Sequence, residues 1–312
     1  MTARGLGIDV GGTNLRAALV ELETGAVVAL RRHALAGRSP GEVVSVAASL
    51  ARALGAEPGT TVGVGFAGQL QAGSGVVLNA PNLGWRDVPL GELLSGALGA
   101  PVRVANDLSA AAWGEARFGA ARGARESLVV FVGTGVGAGL LLGGRLHEGA
   151  GGVAGELGHV KVDRPPGTAP RRCGCGMTDC LEAWAGGAAV EARVREAVAE
   201  GRAPAPAPGE ARSGAGRTDV AARAGEEWAL SLWEETAGLL GRAVASAATL
   251  LDPGRVVLGG GLLLGNALLY EMVERRIREE TSRTAAAHLV VARAALGDEA
   301  GVVGAALLGA GR

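Results

Sequence analysis

The three cysteines of this 312-residue chain, Cys173, Cys175 and Cys180, fall within eight residues, and His159 stands just upstream of them. Three thiolates and one imidazole make the donor set of a closed tetrahedral zinc site with no position left for a reacting water. Such a site fixes a loop and does not itself catalyse. The competing reading is three free or buried thiols with a chance C-x-C spacing, and the clustering behind a histidine favours the metal. Carboxylates flank the cluster, Glu156 three residues before His159 and Glu182 two residues after Cys180. Taken singly, each would be a solvated surface group.

A second set of residues suits phosphate. Asp9-Val10-Gly11-Gly12-Thr13-Asn14 puts a carboxylate at a strand end, directly before a run of backbone amides and a hydroxyl. Amides of such a turn hold phosphate oxygens, and the carboxylate holds a hydrated Mg²⁺. The pattern is neither GxxxxGK[ST] nor GxGxxG. Gly133-Thr134-Gly135-Val136-Gly137 and Gly259-Gly260-Gly261 are further turns of this kind. In a chain with 54 glycines one such turn says little. Three of them, each after an apolar run and spread over both halves, point to a nucleotide held between domains. Asn106-Asp107 also follows a strand; alone, the pair is an ordinary turn and helix N-cap.

These residues need strands and turns to position them. Residues 5–10, 15–20 and 26–30 read as a strand meander with a glycine-rich first turn, 41–54 as an amphipathic helix and 62–68 as a buried strand ending in a turn. Residues 102–119 read as strand, polar turn and helix. Residues 127–146 repeat the opening strand–turn–strand pattern, which predicts an internal duplication. Residues 201–217, rich in Pro, Ala and Gly, read as a surface loop. Helix is expected over 219–250, strand and turn over 255–264, helix near 266–282, strand over 288–294 and helix over 299–310. Trp85, Trp113, Trp228 and Trp233 are expected in packing roles, and His33, His147 and His288 carry no partner recognisable from sequence.

Composition narrows the function. The net charge is −1 and the pI about 6.5, which gives no electrostatic footprint for nucleic acid or an anionic membrane. No signal-like segment opens the chain and no run of about 18 apolar residues follows, so a cytoplasmic, reducing setting is expected. The length predicts two domains. Lys161 is the single lysine among 30 basic residues, which fits a genome favouring Ala, Gly and Arg codons and counsels discounting glycine motifs.

In order along the chain, IDVGGTN, APNLGW, ANDLSAAAWGE, GTGVGAGL, AGELGH, CGCGxxxCLE and VLGGGL resemble the ROK family, a group of sugar kinases with relatives that act as sugar-responsive repressors. The resemblance runs from about residue 5 to about residue 308. It implies an α/β, actin-like or hexokinase-type (ribonuclease H-like) fold, two domains with an interdomain cleft. The first is placed at 1–115 and completed by a helix near 298–312; the second, at 116–297, carries a zinc loop at 159–180. It also implies a structural Zn²⁺ on His159, Cys173, Cys175 and Cys180. Mg·ATP would be cradled by Asp9, Gly11, Gly12, Thr13, Asn14, Gly133, Thr134, Gly135 and Gly137, with Gly259, Gly260 and Gly261 toward the adenosine. A hexose would meet Gly65, Asn82, Asn106, Asp107, Glu156, His159 and Glu182, with Asp107 as the general base. Glucose and its C6 hydroxyl are the leading expectation, and a homodimer or homotetramer the expected assembly.

Some positions depart from the family pattern. Asp179 stands where a glycine usually precedes the last cysteine, and the stretch between His159 and Cys173 is slightly long, with Pro165, Pro166 and Pro170. Ala67-Gly68 replaces a frequent Pro-Gly, and Gln71 a frequent Asp. Three rivals stand beside glucokinase: a kinase for N-acetylmannosamine, N-acetylglucosamine, fructose or allose; a non-catalytic sugar sensor; and a kinase using polyphosphate. Only seven residues precede Ile8, leaving no room for a helix-turn-helix there, and the sensor is expected least.

Overall fold

The computed structural model describes residues 3–35, 39–57, 59–207, 210 and 212–312. The chain divides into two compact units, one of Met1–Val129, Ala138–Gly155 and Ala294–Arg312, the other of Val130–Gly137 and Glu156–Arg293. β1 (Arg4–Val10), β2 (Asn14–Glu21) and β3 (Val27–Ala34) form an antiparallel meander, followed by α1 (Pro40–Ala53) and β4 (Thr61–Phe66). The short strands β5 (Gln69–Leu70), β6 (Val77–Ala80) and β7 (Trp85–Val88) make a separate sheet; α2 (Leu90–Leu98), β8 (Val102–Asn106) and α3 (Asp107–Phe118) come next. After β9 (Ser127–Val132), β10 (Val136–Leu142) and β11 (Arg145–Leu146) come the helices α4 (Leu181–Ala185), α5 (Gly187–Ala199), α6 (Gly214–Arg223) and α7 (Glu227–Leu251). The chain ends through β12 (Arg255–Gly259), α8 (Gly261–Gly265), α9 (Ala267–Glu280), α10 (Arg283–Ala286), β13 (Val290–Arg293) and α11 (Ala300–Gly309).

One sheet has the order β3-β2-β1-β4-β8 and another β11-β10-β9-β12-β13. In the first, β1 runs antiparallel to β2 and parallel to β4, and β4 runs parallel to β8. In the second, β10–β11 is antiparallel and β12–β13 parallel. The two orders correspond strand for strand, which is the duplication expected from the repeated strand–turn–strand pattern.

Alternation along β1 explains how its sheet is covered. Leu6, Ile8 and Val10 are fully buried in one cluster with Val43, Ala47 and Ala51 of α1. The alternate positions, Gly5 and Gly7 on β1 and Gly63 and Gly65 on β4, bear no side chain. A Cβ on Gly7 would overlap the Val302 carbonyl, and one on Gly63 the Ala305 carbonyl, so the backbone of α11 lies directly on the sheet. Gly304 makes the same allowance from α11 toward Ala110 of α3. Glycine here is a packing requirement as well as a codon preference.

Two expectations need correction. The loop expected over 201–217 ends early, because α6 starts at Gly214 with the Ser213 hydroxyl accepting from Gly216 N–H at 3.1 Å. Its buried residues are Ala215, Thr218, Asp219, Ala221 and Ala222, too small or too polar to give a hydrophobic period. Pro208, Gly209 and Ala211 lie outside the described residues. The helix expected over 219–250 is two helices, parted at Gly225, whose φ of 86° breaks the right-handed course. Trp85 is 4% exposed and stacks on Phe66 at 5.3 Å, as a packing residue should. His288 has a partner that the sequence did not reveal, Asp252 at 3.0 Å. Among the described residues no helix is long and apolar enough to cross a membrane.

Candidate active site and metal centre

In the first unit the C-terminal ends of β1, β4 and β8 lie side by side, with Val10 opposite Phe66 and Phe66 opposite Asn106. Carboxyl ends of adjacent parallel strands are where open α/β sheets bind ligands. Asn106 is the N-cap of α3: its Oδ1 accepts from Leu108 N–H at 3.0 Å and Ser109 N–H at 3.1 Å, and its Nδ2 donates to the Gly68 carbonyl at 3.3 Å. Asn106 is therefore the N-cap, and Asp107 occupies the first helical position, half-buried, where its Oδ1 shares the Leu108 N–H at 2.9 Å. An anionic side chain there is favoured by the helix dipole. Gly65 packs beneath it; a Cβ at that position would sit 3.4 Å from the Asp107 Cα.

The first glycine turn lies against the same group. Gly11 N–H closes the turn on the Asn14 carbonyl at 3.0 Å, and a Cβ on Gly12 would come 3.3 Å from that of Asn82. Asp9, Gly12, Gly65, Asn82, Asn106 and Asp107 are thus gathered at one edge of one sheet. Asp9 is held by a residue that sequence reasoning missed. Arg16, opposite it across the hairpin, donates through Nε to Asp9 Oδ2 at 3.0 Å and through Nη1 to the Asp298 carbonyl at 2.8 Å.

The second unit gathers the other predicted residues. A three-residue turn, Leu157–His159, follows Glu156, and His159 Nε2 lies 3.5 Å from Glu156 Oε2. Burial raises the Glu156 carboxyl above its ordinary value; His159 opposes the rise and Glu182 adds to it. Glu182, on the first turn of α4, accepts the Val136 N–H through Oε2 at 2.9 Å. A Cβ on Gly135 would overlap that carboxylate, so the glycine of this turn serves Glu182 as well as any phosphate. The start of α5 braces the turn, with Gly187 N–H on the Gly133 carbonyl at 2.8 Å and Ala188 N–H on the Thr134 carbonyl at 3.0 Å. Gly260, at φ 89°, abuts the Val132 backbone, which brings Gly259–Gly261 beside the second turn.

Two separations within the cluster match those of a tetrahedral zinc site. Zinc with Zn–S near 2.3 Å and Zn–N near 2.0 Å in a tetrahedron requires S···S of about 3.8 Å and N···S of about 3.5 Å. Cys175 and Cys180 Sγ are 3.7 Å apart, and His159 Nδ1 is 3.6 Å from Cys173 Sγ. The four ligand atoms all lie within 4.8 Å of one another. Burial pushes the Cys173 thiol up to about 12 and raises Cys180 as well, so a divalent cation is the charge that would favour their thiolates. With Nδ1 toward the sulfurs, Nε2 faces Glu156, the outer carboxylate that commonly orients a metal-bound imidazole.

Asp179 turns out to suit the position that usually holds glycine. Its φ is 53°, the left-handed region in which Asp is tolerated better than most side chains. The side chain adds contacts that glycine lacks: Oδ1 accepts from Arg171 N–H and Trp184 Nε1–H, each at 3.1 Å, and Oδ2 from Arg164 Nη1 at 3.1 Å. The Arg171 N–H, followed by Trp184 and Arg164, holds its carboxyl below the usual range. Arg164 and Arg171 stand at the two ends of the proline segment, so one carboxylate ties down both.

A cavity of about 690 Å³ in this unit, lined by Arg171, Trp184, Arg193, Glu196 and Glu235 among others, contains none of the predicted sugar or nucleotide residues. Sequence reasoning missed Arg16, Glu115 and Arg164. Each acts through a partner distant in the chain or through a backbone group, which composition and spacing do not display.

Comparison with known proteins agrees with this arrangement. The ROK family model matches residues 5–311. A glucokinase of Streptomyces coelicolor is 34% identical over 313 residues, covering 96% of each chain. The crystal structure of a ROK family glucokinase from Streptomyces griseus, in complex with glucose and AMPPNP, is 34% identical, superposes with a TM-score of 0.81 and covers 98% of each chain. A ROK hexokinase structure from Thermus thermophilus is 33% identical, with a TM-score of 0.80 and 97% coverage of each. With the family model matched over residues 5–311 and full-length relatives at 33–34% identity, the chain belongs to the ROK family and has the actin-like, hexokinase-type α/β fold.

Proposed function

We propose that this protein phosphorylates a hexose at its C6 hydroxyl from ATP, with glucose as the preferred sugar. The observation that carries the reading is Asp107: a half-buried carboxylate at the first position of α3, at joined strand ends, beside the N-cap Asn106. The glucokinase relatives along the full chain support the choice of sugar and donor.

Asp107 takes the proton of the C6 hydroxyl. The oxygen forms a bond to the γ-phosphorus as the bond to the β–γ bridging oxygen breaks, and ADP leaves. The turns at Asp9–Asn14 and Gly133–Gly137 offer backbone amides to phosphate oxygens. Mg²⁺, when bound, neutralises charge on those oxygens. Glu156, His159 and Glu182 are assigned to the remaining sugar hydroxyls, where carboxylates give charge-assisted bonds and sense hydroxyl configuration. Zinc on His159, Cys173, Cys175 and Cys180 would contribute rigidity to the residues between them.

The test is ADP release across hexoses and N-acetylhexosamines, with ATP and polyphosphate as donors, for the wild type and Asp107→Asn. The substitution preserves shape and leaves the Asn106 cap in place, so the variant should fold. Turnover on glucose with ATP is expected to fall by at least ~10²-fold, the usual contribution of a general base. Undiminished turnover in Asp107→Asn would refute the base assignment. Turnover confined to another sugar would keep the base and change the substrate.

A further inference from the structure

Lys161 is the single lysine among 30 basic side chains. A chain that otherwise uses arginine throughout keeps its one ammonium two residues after His159. The segment there pairs antiparallel with the last cysteine: Lys161 opposes Cys180 in a β-bridge, flanked by Leu181 N–H to the Val160 carbonyl at 2.9 Å and Val162 N–H to the Asp179 carbonyl at 3.0 Å. Directly opposed residues of an antiparallel pair project to the same side. Lys161 Nζ accordingly lies 3.8 Å from Cys180 Sγ, and it also donates to the Thr178 carbonyl.

Charge makes that contact matter. Three thiolates and a neutral imidazole around a divalent cation carry a net charge of −1, and one ammonium brings the cluster to neutrality. A compact ammonium has three donors in a tetrahedral head, so it serves the carbonyl and the sulfur together, whereas a guanidinium is a planar fork with a different reach. We propose that Lys161 is a positioning residue of the metal centre: it neutralises the metal–thiolate cluster, holds the Cys180 sulfur in place and slows loss of the metal. This rests on the zinc reading of His159, Cys173, Cys175 and Cys180.

The experiment uses the full chain loaded with zinc. Bound zinc is first quantified by elemental analysis; then its transfer to a chromophoric chelator is timed for the wild type, Lys161→Met and Lys161→Arg, at low and high salt. Lys161 is exposed and supports no core, so both variants should fold. Outer contacts to metal ligands commonly change affinity by 10–100-fold, and Lys161→Met is expected to release zinc about tenfold faster than the wild type. The gap should narrow in high salt, where exposed charges are screened. Lys161→Arg should fall between the two. Wild-type and Lys161→Met proteins with equal release at low salt would overturn the proposal, as would a Lys161→Arg protein as leaky as Lys161→Met. A wild-type chain holding much less than one zinc would overturn the metal reading itself, an outcome distinct from the other two.

Discussion

Glu115 offers a sharp test of how the Asp107 helix is held. It sits on α3, two turns beyond Asp107, and is 0% exposed. Its Oε1 accepts from Ala295 N–H at 2.9 Å and Leu296 N–H at 2.8 Å, and its Oε2 from Ala120 N–H at 2.7 Å and Ala295 N–H at 3.1 Å. One buried carboxylate thereby fastens α3 to the segment that leads into α11, and α11 in turn covers the sheet ending at Asp9 and Gly65. Glu115→Gln keeps the shape but turns one acceptor into a donor facing an N–H. Leaving one buried N–H unpaired costs about 1–3 kcal/mol, and the two retained bonds lose about 1 kcal/mol each in going from a charged to a neutral acceptor. Relief of the carboxylate's own burial returns part of this. The expected net loss is about 2–4 kcal/mol, read as a drop in denaturant midpoint at unchanged slope. Glu115→Ala, which removes the acceptor from all three N–H groups, should lose more. A Glu115→Gln protein within about 0.5 kcal/mol of wild type would refute the reasoning, because a surface carboxylate behaves that way.

Three further outcomes are expected. Gly135→Ala should displace Glu182 from the Val136 N–H; a charge-assisted bond of about 1.5–3 kcal/mol then corresponds to at least a tenfold rise in KM for the sugar, and an unchanged sugar KM would show that the turn does not position Glu182. Asp179→Gly should keep the local backbone and the Arg171–Glu196 pair while removing the carboxylate's bonds to Arg164 and to the Arg171 N–H, so trypsin should cut at Arg172 several-fold faster, and equal cleavage rates would count against the anchoring role. Removing zinc with a chelator should raise KM for the sugar more than KM for ATP, since Glu156, His159 and Glu182 surround the cluster; equal effects on both, after verified zinc loss, would mean that the cluster supports the unit in general and not these residues.

Much of the architecture was legible where local chemistry dictates it. The duplicated sheets followed from apolar runs ending in glycine turns, and the His159, Cys173, Cys175 and Cys180 cluster from residue types rare enough that four of them together carry information. What stayed hidden has a common cause. Glu115 and Ala295 are 180 residues apart, and the donor is a backbone amide that no sequence pattern marks. Helix α6 buries alanines, a threonine and Asp219 and leaves no hydrophobic period to detect. The Asn106-Asp107 pair allowed either residue to cap, and only the geometry assigns the cap to Asn106.

The glycines and the departures from the family pattern teach a related point. Discounting glycine as codon bias suits Gly96 or Gly174, where a Cβ would meet nothing, but not Gly7, Gly63 and Gly304, where it would enter the backbone of another element. The distinguishing signal was present as glycine at alternate positions in GLGIDV and VGVGF, a period that bias alone does not produce. Asp179 shows the converse. A side chain has entered a left-handed position where glycine is the easier choice, and the same carboxylate secures both ends of the proline segment that precedes Cys173. The carboxylate thus supplies anchors at both ends of the proline segment, and it leaves the four candidate metal ligands, His159, Cys173, Cys175 and Cys180, in place.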